Sequence, residues 1–401
     1  MKYSLYVHIP FCTHRCAYCD FNTYAGQEAL LPAYVSALQR EIELAGAAAP
    51  HRLPVHTVFF GGGTPTLLSP AQFRLILKSI QSAFDLSTDA EITTEANPGT
   101  VSYAALAELR AAGINRISFG AQSANGEELR LLERAHTFLD VMTAVSSARR
   151  AGFDNLSLDL IYGLPGQALD VWQTTVRRVL DLCPDHLSAY ALTLEHGTPF
   201  GRWSARGLLP LPDPDTAAEM YEWADDAITS TGFSQYEISN WALTAQNDRQ
   251  PAVGAVPAFA CRHNLQYWRC DPYLGFGAGA HGYAAGYRYS NVLRIKTYID
   301  RLSDGEAGAF PVSPAAVNQH RQTTSDDMSE FMITGLRLTR EGVAAEEFAR
   351  RFGADLMDVY PAVLTKLTGL GLLEWYETPH RLLRLTKRGR LLGNQVFICF
   401  V

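Results

Sequence analysis

The chain has 401 residues, 47% hydrophobic and 19% charged, with 34 Lys+Arg against 41 Asp+Glu and a formal net charge of −7. This balance excludes a disordered polypeptide and a non-specific nucleic-acid binder, because apolar content is ample and no basic face is forced on the surface. No run of about 18 apolar residues offers a transmembrane helix, and Met1-Lys2-Tyr3 followed by a stretch broken at His8 and Pro10 is a poor export signal, so a cytoplasmic protein is expected.

In chain order, the first half alternates between two periodicities. Short apolar and β-branched runs predict strands at 4–9, 57–60, 91–95, 116–120, 156–161 and 187–193. Helical spacing predicts helices at 31–45, 71–84, 103–112, 138–151 and 171–182, with starts marked by Ser69-Pro70 and Asp170. Strand–helix alternation builds a parallel sheet. Six such units fall short of the eight in a closed barrel. The expected fold is therefore α/β, an open partial (β/α)6 barrel.

Beyond 193 the pattern changes. The Pro-rich stretch 208–215 reads as a connection and 216–229 as a helix. Residues 246–259 read as an exposed loop, 273–288 is rich in Gly and Tyr, and 303–327 reads as a linker. Residues 328–401 predict helices, then Gly371-Leu372-Leu373-Glu374-Trp375, a turn near Pro379 and a strand at 382–386. That order suggests a small winged-helix-like α+β module. The expected domains are a barrel at 1–235, its extension at 236–310 and a C-terminal domain at 311–401.

Seven cysteines are present: Cys12, Cys16, Cys19, Cys183, Cys261, Cys270 and Cys399. An odd number without an export signal argues against a disulfide framework. Cys183 and Cys399 read as small buried hydrophobes. Three of the others fall within FCTHRCAYCD, spaced C-x3-C-x2-C. Thiolates are the donors that soft metal centres select. On a [4Fe–4S] cube three of them leave one iron without a protein donor, free to take a substrate or cofactor. The alternative is a zinc site with His14 as fourth donor, although no second cysteine pair follows, as zinc motifs usually require. Other chemistry-capable residues gather at or after predicted strand ends: 61–66, Glu95-Ala96-Asn97-Pro98, Gln122 and Asp159. In parallel α/β folds that edge builds the active site.

C-x3-C-x-aromatic-C after the first strand, with GGGTP after the second, resembles the radical S-adenosylmethionine superfamily. YVHIPFC, CAYCDF, FFGGGTPTLL, EANPGT, ISFGAQS, LERAHT, DLIYGLPGQ, YEISN and HNLQYW, in this order, are similar to its coproporphyrinogen-oxidase-like branch, and within it to the heme chaperones. The resemblance covers nearly the whole chain. It implies a [4Fe–4S] cluster on Cys12, Cys16 and Cys19. It also implies S-adenosylmethionine on the open iron and an electron passed into the sulfonium to release a 5′-deoxyadenosyl radical. It carries the methionyl amino group to Gly62, Gly63 and Thr64, ribose hydroxyls or the ammonium to Glu95, and the methionyl carboxylate to Arg134. Gln122 and Asp159 match further polar contacts, and Tyr6 and Tyr18 match aromatic positions beside the cluster.

The chaperone branch implies a carrier that binds heme and delivers it to heme-accepting apo-proteins, with respiratory enzymes as recipients and an electron donor for the cluster. A peripheral membrane contact and a homodimer stay open, and no nucleic acid is expected. HNLQYW is the pattern tied to heme handling there, which makes His263 and Tyr267 the candidate heme-binding residues and Cys261 an alternative ligand. The residues alone read equally as a loop His–Asn pair beside a buried Tyr and Trp, after a long loop at 245–260. The alternative function is an oxygen-independent coproporphyrinogen III oxidase, which decarboxylates porphyrinogen propionates by a radical route. Those oxidases typically show C-x3-C-x2-C-x-C, where this chain has Phe21, and a segment ahead of the cluster for which no room is expected before Cys12. Both departures fit the chaperones.

Two further signals are set aside. Gly277-Ala278-Gly279-Ala280-His281-Gly282 fits G-x-G-x-x-G, but YAAGYRYSN after it is no amphipathic helix, so dinucleotide binding is not expected. The basic run 381–390 reads as a solvated hairpin.

Overall fold

Leu5, Val7 and Ile9 lie on one face of Tyr3–Ile9 (β1) and are fully buried, as a strand deep in a covered sheet requires. In this computed structural model, which describes residues 1–244, 254–304, 308–377 and 380–401, β1 opens a regular alternation. It is followed by Leu31–Ala48 (α1), Pro54–Gly62 (β2), Pro70–Ala83 (α2), Asp85–Ala96 (β3), Tyr103–Ala111 (α3), Arg116–Gln122 (β4), Phe138–Arg150 (α4), Leu156–Tyr162 (β5), Leu169–Leu180 (α5) and His186–Ala191 (β6). Strands β1 to β6 lie side by side in chain order, each pair parallel. The partial (β/α)6 arrangement is therefore present, and the sheet is open rather than closed into a barrel.

Local signals set the helix boundaries. Ser69 and Gln72 form a reciprocal capping box at the start of α2, with Pro70 in its first turn. Helix α2 then buries Phe73, Ile76, Leu77 and Ile80 at helical spacing. The expected cap at Asp170 is corrected. Ala168 holds the N-cap position of α5, and Asp170 sits in the first turn, its carboxylate accepting from the Val171 N–H at 2.9 Å. Cys183 is exposed, and Cys399 is half-buried, so neither is the buried hydrophobe expected.

On the other side of β1 the sheet continues with Tyr273–Phe276, parallel to β1, and then with His281–Ala284, Tyr287–Asn291 and Ala316–Arg321, all antiparallel. The last of these corrects the linker expected at 303–327. Its side chains are mostly exposed and polar, so no alternation marks it, and only backbone pairing to Tyr287–Asn291 makes it a strand. The same span also holds the start of helix Thr324–Gly335, closed by a Thr323–Asp326 capping box.

The G-x-G-x-x-G segment is a packing device. A Cβ on Gly277 (φ 102°) would fall 2.5 Å from the His8 carbonyl oxygen and 2.6 Å from the Tyr34 hydroxyl. The Gly277 N–H donates to Glu41 at 2.8 Å. Glu41, on α1, has no exposed surface and also accepts from Asn291 Nδ2 at 2.8 Å, Tyr298 at 2.7 Å and Ser313 at 2.6 Å. Burial still holds its carboxyl above the usual range. This one carboxylate ties α1 to the strands that extend the sheet.

The chain divides into two compact units, each built from two stretches: Met1–Tyr221 with Pro272–Arg321, and Glu222–Asp271 with Gln322–Val401. The expected segments 1–235, 236–310 and 311–401 run consecutively, and the units cross them. In the second unit, Phe233–Glu237 pairs antiparallel with Asn240–Leu243. Helices Thr324–Gly335, Ala345–Phe352 and Pro361–Gly369 precede the hairpin Leu373–Tyr376 and Leu382–Leu385, which also pairs with Val343–Ala344. This is the winged-helix-like order read from sequence. Phe348 is its anchor, with ring centroids 6.0 Å from Phe331 and 4.8 Å from Phe352. The basic run is more than a solvated hairpin: the Arg384 guanidinium covers the Tyr376 ring at 3.4 Å, and Arg390 donates to Gln235 at 2.6 Å. The turn near Pro379 and residues 245–253 of the expected loop lie outside the described residues.

Removing the Glu41 carboxylate strands buried donors. Glu41→Ala is expected to destabilise the first unit by about 3 kcal/mol, from the penalty for unpaired buried groups. Urea unfolding of the full chain checks this through an earlier first transition; a loss under about 1 kcal/mol would contradict it.

Candidate functional site

The carboxyl ends of β2 to β6 and the cysteine loop after β1 enclose a cavity of about 530 Å³. Cys12, Cys16, Cys19, Gly62, Gly63, Thr64, Glu95, Gln122, Arg134 and Asp159 all line it, together with Tyr18 and Asn97. Residues as distant in the sequence as Cys12 and Glu195 meet there because parallel strands present all their carboxyl ends on one edge.

Glycine governs the contact between the first two loops. Gly62 has φ 111°, in the left-handed region, and a Cβ on Gly63 would fall 2.5 Å from the Phe11 carbonyl oxygen and 3.0 Å from Cys12 Sγ. Two backbone bonds hold the approach: Gly63 N–H to Ile9 O at 2.9 Å and Thr64 N–H to Phe11 O at 2.8 Å.

Tyr6 is not on the cavity wall. Its hydroxyl donates to His8 Nδ1 at 2.9 Å, and His8 Nε2 donates to the Asn22 carbonyl at 2.9 Å. A carbonyl only accepts, so Nε2 carries a proton. Burial lowers the His8 pKa and so favours the neutral ring, whose Nδ1 accepts from Tyr6. The His8 ring stands where a Gly62 side chain would go, 2.4 Å from a Cβ built there. Tyr6 thus supports the glycine loop through His8.

One wall is acidic. Glu95 accepts from the Gly62 N–H at 3.1 Å. Burial first, then the charge of Asp159, pushes its carboxyl up to about 7. Asp159 accepts from Ser118 at 2.8 Å and Ser157 at 3.3 Å; burial raises it, and these hydrogen bonds oppose the rise. Two desolvated carboxyls favour a cationic ligand group.

In the same cavity, Arg134 donates to Gly120 O at 3.0 Å, to Asn97 Oδ1 at 2.5 Å and to Cys16 Sγ at 3.7 Å. Gln122 has φ 64°, unusual for a residue with a side chain, and lies at a register break between β4 and β5. Backbone strain of this kind concentrates at ligand clamps. A Cβ on Gly120 would meet Gln122 Nε2 at 2.7 Å and Arg134 NH2 at 3.2 Å, so glycine is needed for both to converge. Asn97 is read from sequence among the chemistry-capable residues at the strand ends, in Glu95-Ala96-Asn97-Pro98, but without a role of its own. The EANPGT motif and its position just past β3 are the signal for it.

The donor set fits a cluster. None of the three thiols is in a disulfide, and they line one cavity wall. Burial raises the Cys12 and Cys19 thiols. Among the described residues, no three His, Cys, Asp or Glu side chains gather about a single metal ion. His14, the fourth donor of the zinc alternative, instead faces Glu133 at 3.5 Å. Phe21 is 61% exposed and lines the cavity, so no thiol stands at that position.

The other predicted residues lie in the second unit. HNLQYW forms a short helix, Arg262–Trp268, not a loop. His263 is 1% exposed, and its Nε2 is 2.8 Å from the Tyr267 hydroxyl one turn on. Cys261 is equally buried. Trp268 carries the Arg337 guanidinium over its ring at 4.3 Å. Trp268 also lines a second cavity of about 520 Å³ with Phe331, Leu338 and Leu382. The arginines there are neutralised, Arg269 by Glu341 and Arg351 by Asp271 and Glu347.

The raised Glu95 pKa makes stability depend on pH. The folded chain keeps this proton up to about 7, whereas an unfolded carboxyl releases it near 4.5, so stability falls as pH rises between them. Glu95→Gln removes the effect. Its melting temperature is expected to exceed that of the parent at about pH 8, with the gap closing by about pH 5. A gap independent of pH would count against the assignment.

The Radical SAM superfamily model matches residues 6–179, and the HemN C-terminal domain model matches residues 322–392. The chain is 39% identical over 399 residues to the heme chaperone HemW of Bacillus subtilis, covering 99% of both chains. It is 35% identical over 398 residues to heme chaperone HemW of Lactococcus lactis, covering 99% of this chain and 97% of that one. Among solved structures, the radical SAM enzyme coproporphyrinogen III oxidase (HemN) from Escherichia coli aligns with a TM-score of 0.81 at 26% identity, covering 100% of this chain and 90% of that one. With end-to-end similarity at this level and the cysteine loop in place over the strand ends, the chain belongs to the HemW family of the radical SAM superfamily.

Proposed function

We propose that this chain is a heme chaperone that holds a [4Fe–4S] cluster, binds S-adenosylmethionine in the first-unit cavity, and passes heme to apo-proteins. The observation that carries the reading is the convergence of three thiols, a glycine loop, two desolvated carboxyls and one arginine in a single cavity, on a chain that aligns from end to end with heme chaperones. Cys12, Cys16 and Cys19 would hold the cluster. When bound, it supplies an electron and an iron with an open coordination position. Gly62, Gly63 and Thr64 keep backbone against the ligand, and Gln122 and Asp159 offer hydrogen bonds. Glu95 faces the ammonium or ribose, with its proton released as a cation enters. Arg134 meets a carboxylate.

His263 and Tyr267 are the proposed heme contacts. Their mutual hydrogen bond occupies the imidazole Nε2, so iron ligation there requires that bond to open. An electron donor to the cluster and heme-accepting apo-proteins complete the proposed partners, in the cytoplasm. No described helix is long and apolar enough to cross a membrane.

The likeness to HemN favours the oxidase as a second reading. Phe21 weighs against it, because a phenyl ring cannot take over what a thiol does beside the cluster.

Anaerobic incubation with coproporphyrinogen III and S-adenosylmethionine is expected to give no protoporphyrinogen, while heme titration gives a saturable Soret band. Turnover of the porphyrinogen would establish the oxidase instead. His263→Ala is expected to weaken heme binding at least about tenfold, the loss of roughly 1.4 kcal/mol. An unchanged titration would remove His263 from the heme site.

A further inference from the structure

Cys12 and Cys16 each receive a hydrogen bond from a side chain, and one residue connects the two donors. The Thr64 hydroxyl donates to Cys12 Sγ at 3.7 Å, and Arg134 NH1 donates to Cys16 Sγ at 3.7 Å. Asn97 stands between them. Its Nδ2 donates to Thr64 Oγ1 at 2.9 Å, and its Oδ1 accepts from Arg134 NH2 at 2.5 Å.

The direction of every bond in this chain follows from chemistry. A guanidinium only donates, so the amide must turn its oxygen to Arg134. Its NH2 group then faces Thr64, whose oxygen must accept. A hydroxyl has one proton, and with its oxygen accepting from Asn97 that proton is left for Cys12. Thr64 is buried, so water does not compete for it. Gly120 leaves room for the Arg134 NH2 group, and its carbonyl fixes that group from the other side.

We infer that Asn97 is a positioning residue for the cluster: it polarises the line Thr64–Asn97–Arg134 so that both ends direct protons at ligating sulfurs. Hydrogen bonds to ligating sulfur raise the reduction potential of an iron–sulfur cluster. Asn97 thereby makes the cluster easier to reduce. The inference rests on the cluster ligation proposed above, and it concerns a residue to which that reading gives no role.

Asn97→Asp separates this role from simple packing, since the two side chains have nearly one shape. A carboxylate accepts at both ends, so Thr64 would turn its proton to the introduced carboxylate and Cys12 would lose its donor. Thr64→Val removes the same donor without adding charge, and Thr64→Ser keeps it. The full chain, reconstituted anaerobically with iron and sulfide, would be titrated by EPR-monitored reduction, with iron and sulfide measured per chain. Asn97→Asp and Thr64→Val are expected to shift the midpoint to more negative potential, and Thr64→Ser to leave it in place. Thr64→Val added to Asn97→Asp should shift it less than Thr64→Val alone does.

A loaded cluster whose midpoint ignores Thr64→Val, or shifts that add in full, would overturn the role of Asn97. If Thr64→Val and Asn97→Asp load no cluster while Thr64→Ser loads and titrates like the parent, the same hydroxyl proton acts in assembly, which supports the inference. If Thr64→Ser fails with them, the inference is overturned. A parent chain that takes up neither iron nor sulfide would overturn the cluster reading itself.

Discussion

The site depends on one steric constraint: the backbone after β2 must lie directly against the cysteine loop after β1. At Gly63 a single added carbon would collide with the Phe11 carbonyl and crowd Cys12 Sγ. The turn must also pass through a left-handed conformation at Gly62. Those two requirements explain the glycine run better than flexibility does. Once the loops are in contact, Thr64 reaches Cys12, Asn97 reaches Thr64, and Arg134 reaches both Asn97 and Cys16. The polar wall of the cavity is thus assembled outward from a backbone contact.

The cavity carries charge of both signs. Glu95 and Asp159 feel the buried Arg116 guanidinium, but burial outweighs it, and both hold their protons more tightly than free carboxyls do. The cation lining the cavity with them is Arg134, held by Asn97 and the Gly120 carbonyl. A zwitterion with a cationic and an anionic end matches this polarity, as the amino-acid part of S-adenosylmethionine does. Glu41 shows the contrasting case. It is buried as deeply and its carboxyl is likewise held above the usual range, but its four donors, Gly277, Asn291, Tyr298 and Ser313, surround it with protein rather than a cavity. A buried carboxyl becomes a candidate for ligand binding through what it faces, not through its depth.

The parts legible in the sequence are those whose signal is local. The six parallel strands and the helices between them repeat apolar residues at their own periods, and the cysteine spacing names its chemistry. Ala316–Arg321 is illegible because its side chains are polar and exposed, and its strand character comes from a distant partner. HNLQYW hides a helix because seven residues are too few for periodicity to show. The interleaving of the two units leaves no compositional boundary to read. Within the site, Glu95, Gln122, Arg134 and Asp159 are found through motifs and strand ends, whereas the part played by Asn97 exists only in the direction of its hydrogen bonds.

The central claim is that three sulfurs hold a cube whose remaining iron takes S-adenosylmethionine. The most direct measurement is the EPR spectrum of the reduced, anaerobically reconstituted chain with and without that ligand. The account predicts a [4Fe–4S] signal whose g-values move when S-adenosylmethionine is added. A colourless chain without acid-labile sulfide, or a cluster signal indifferent to the ligand, would contradict it.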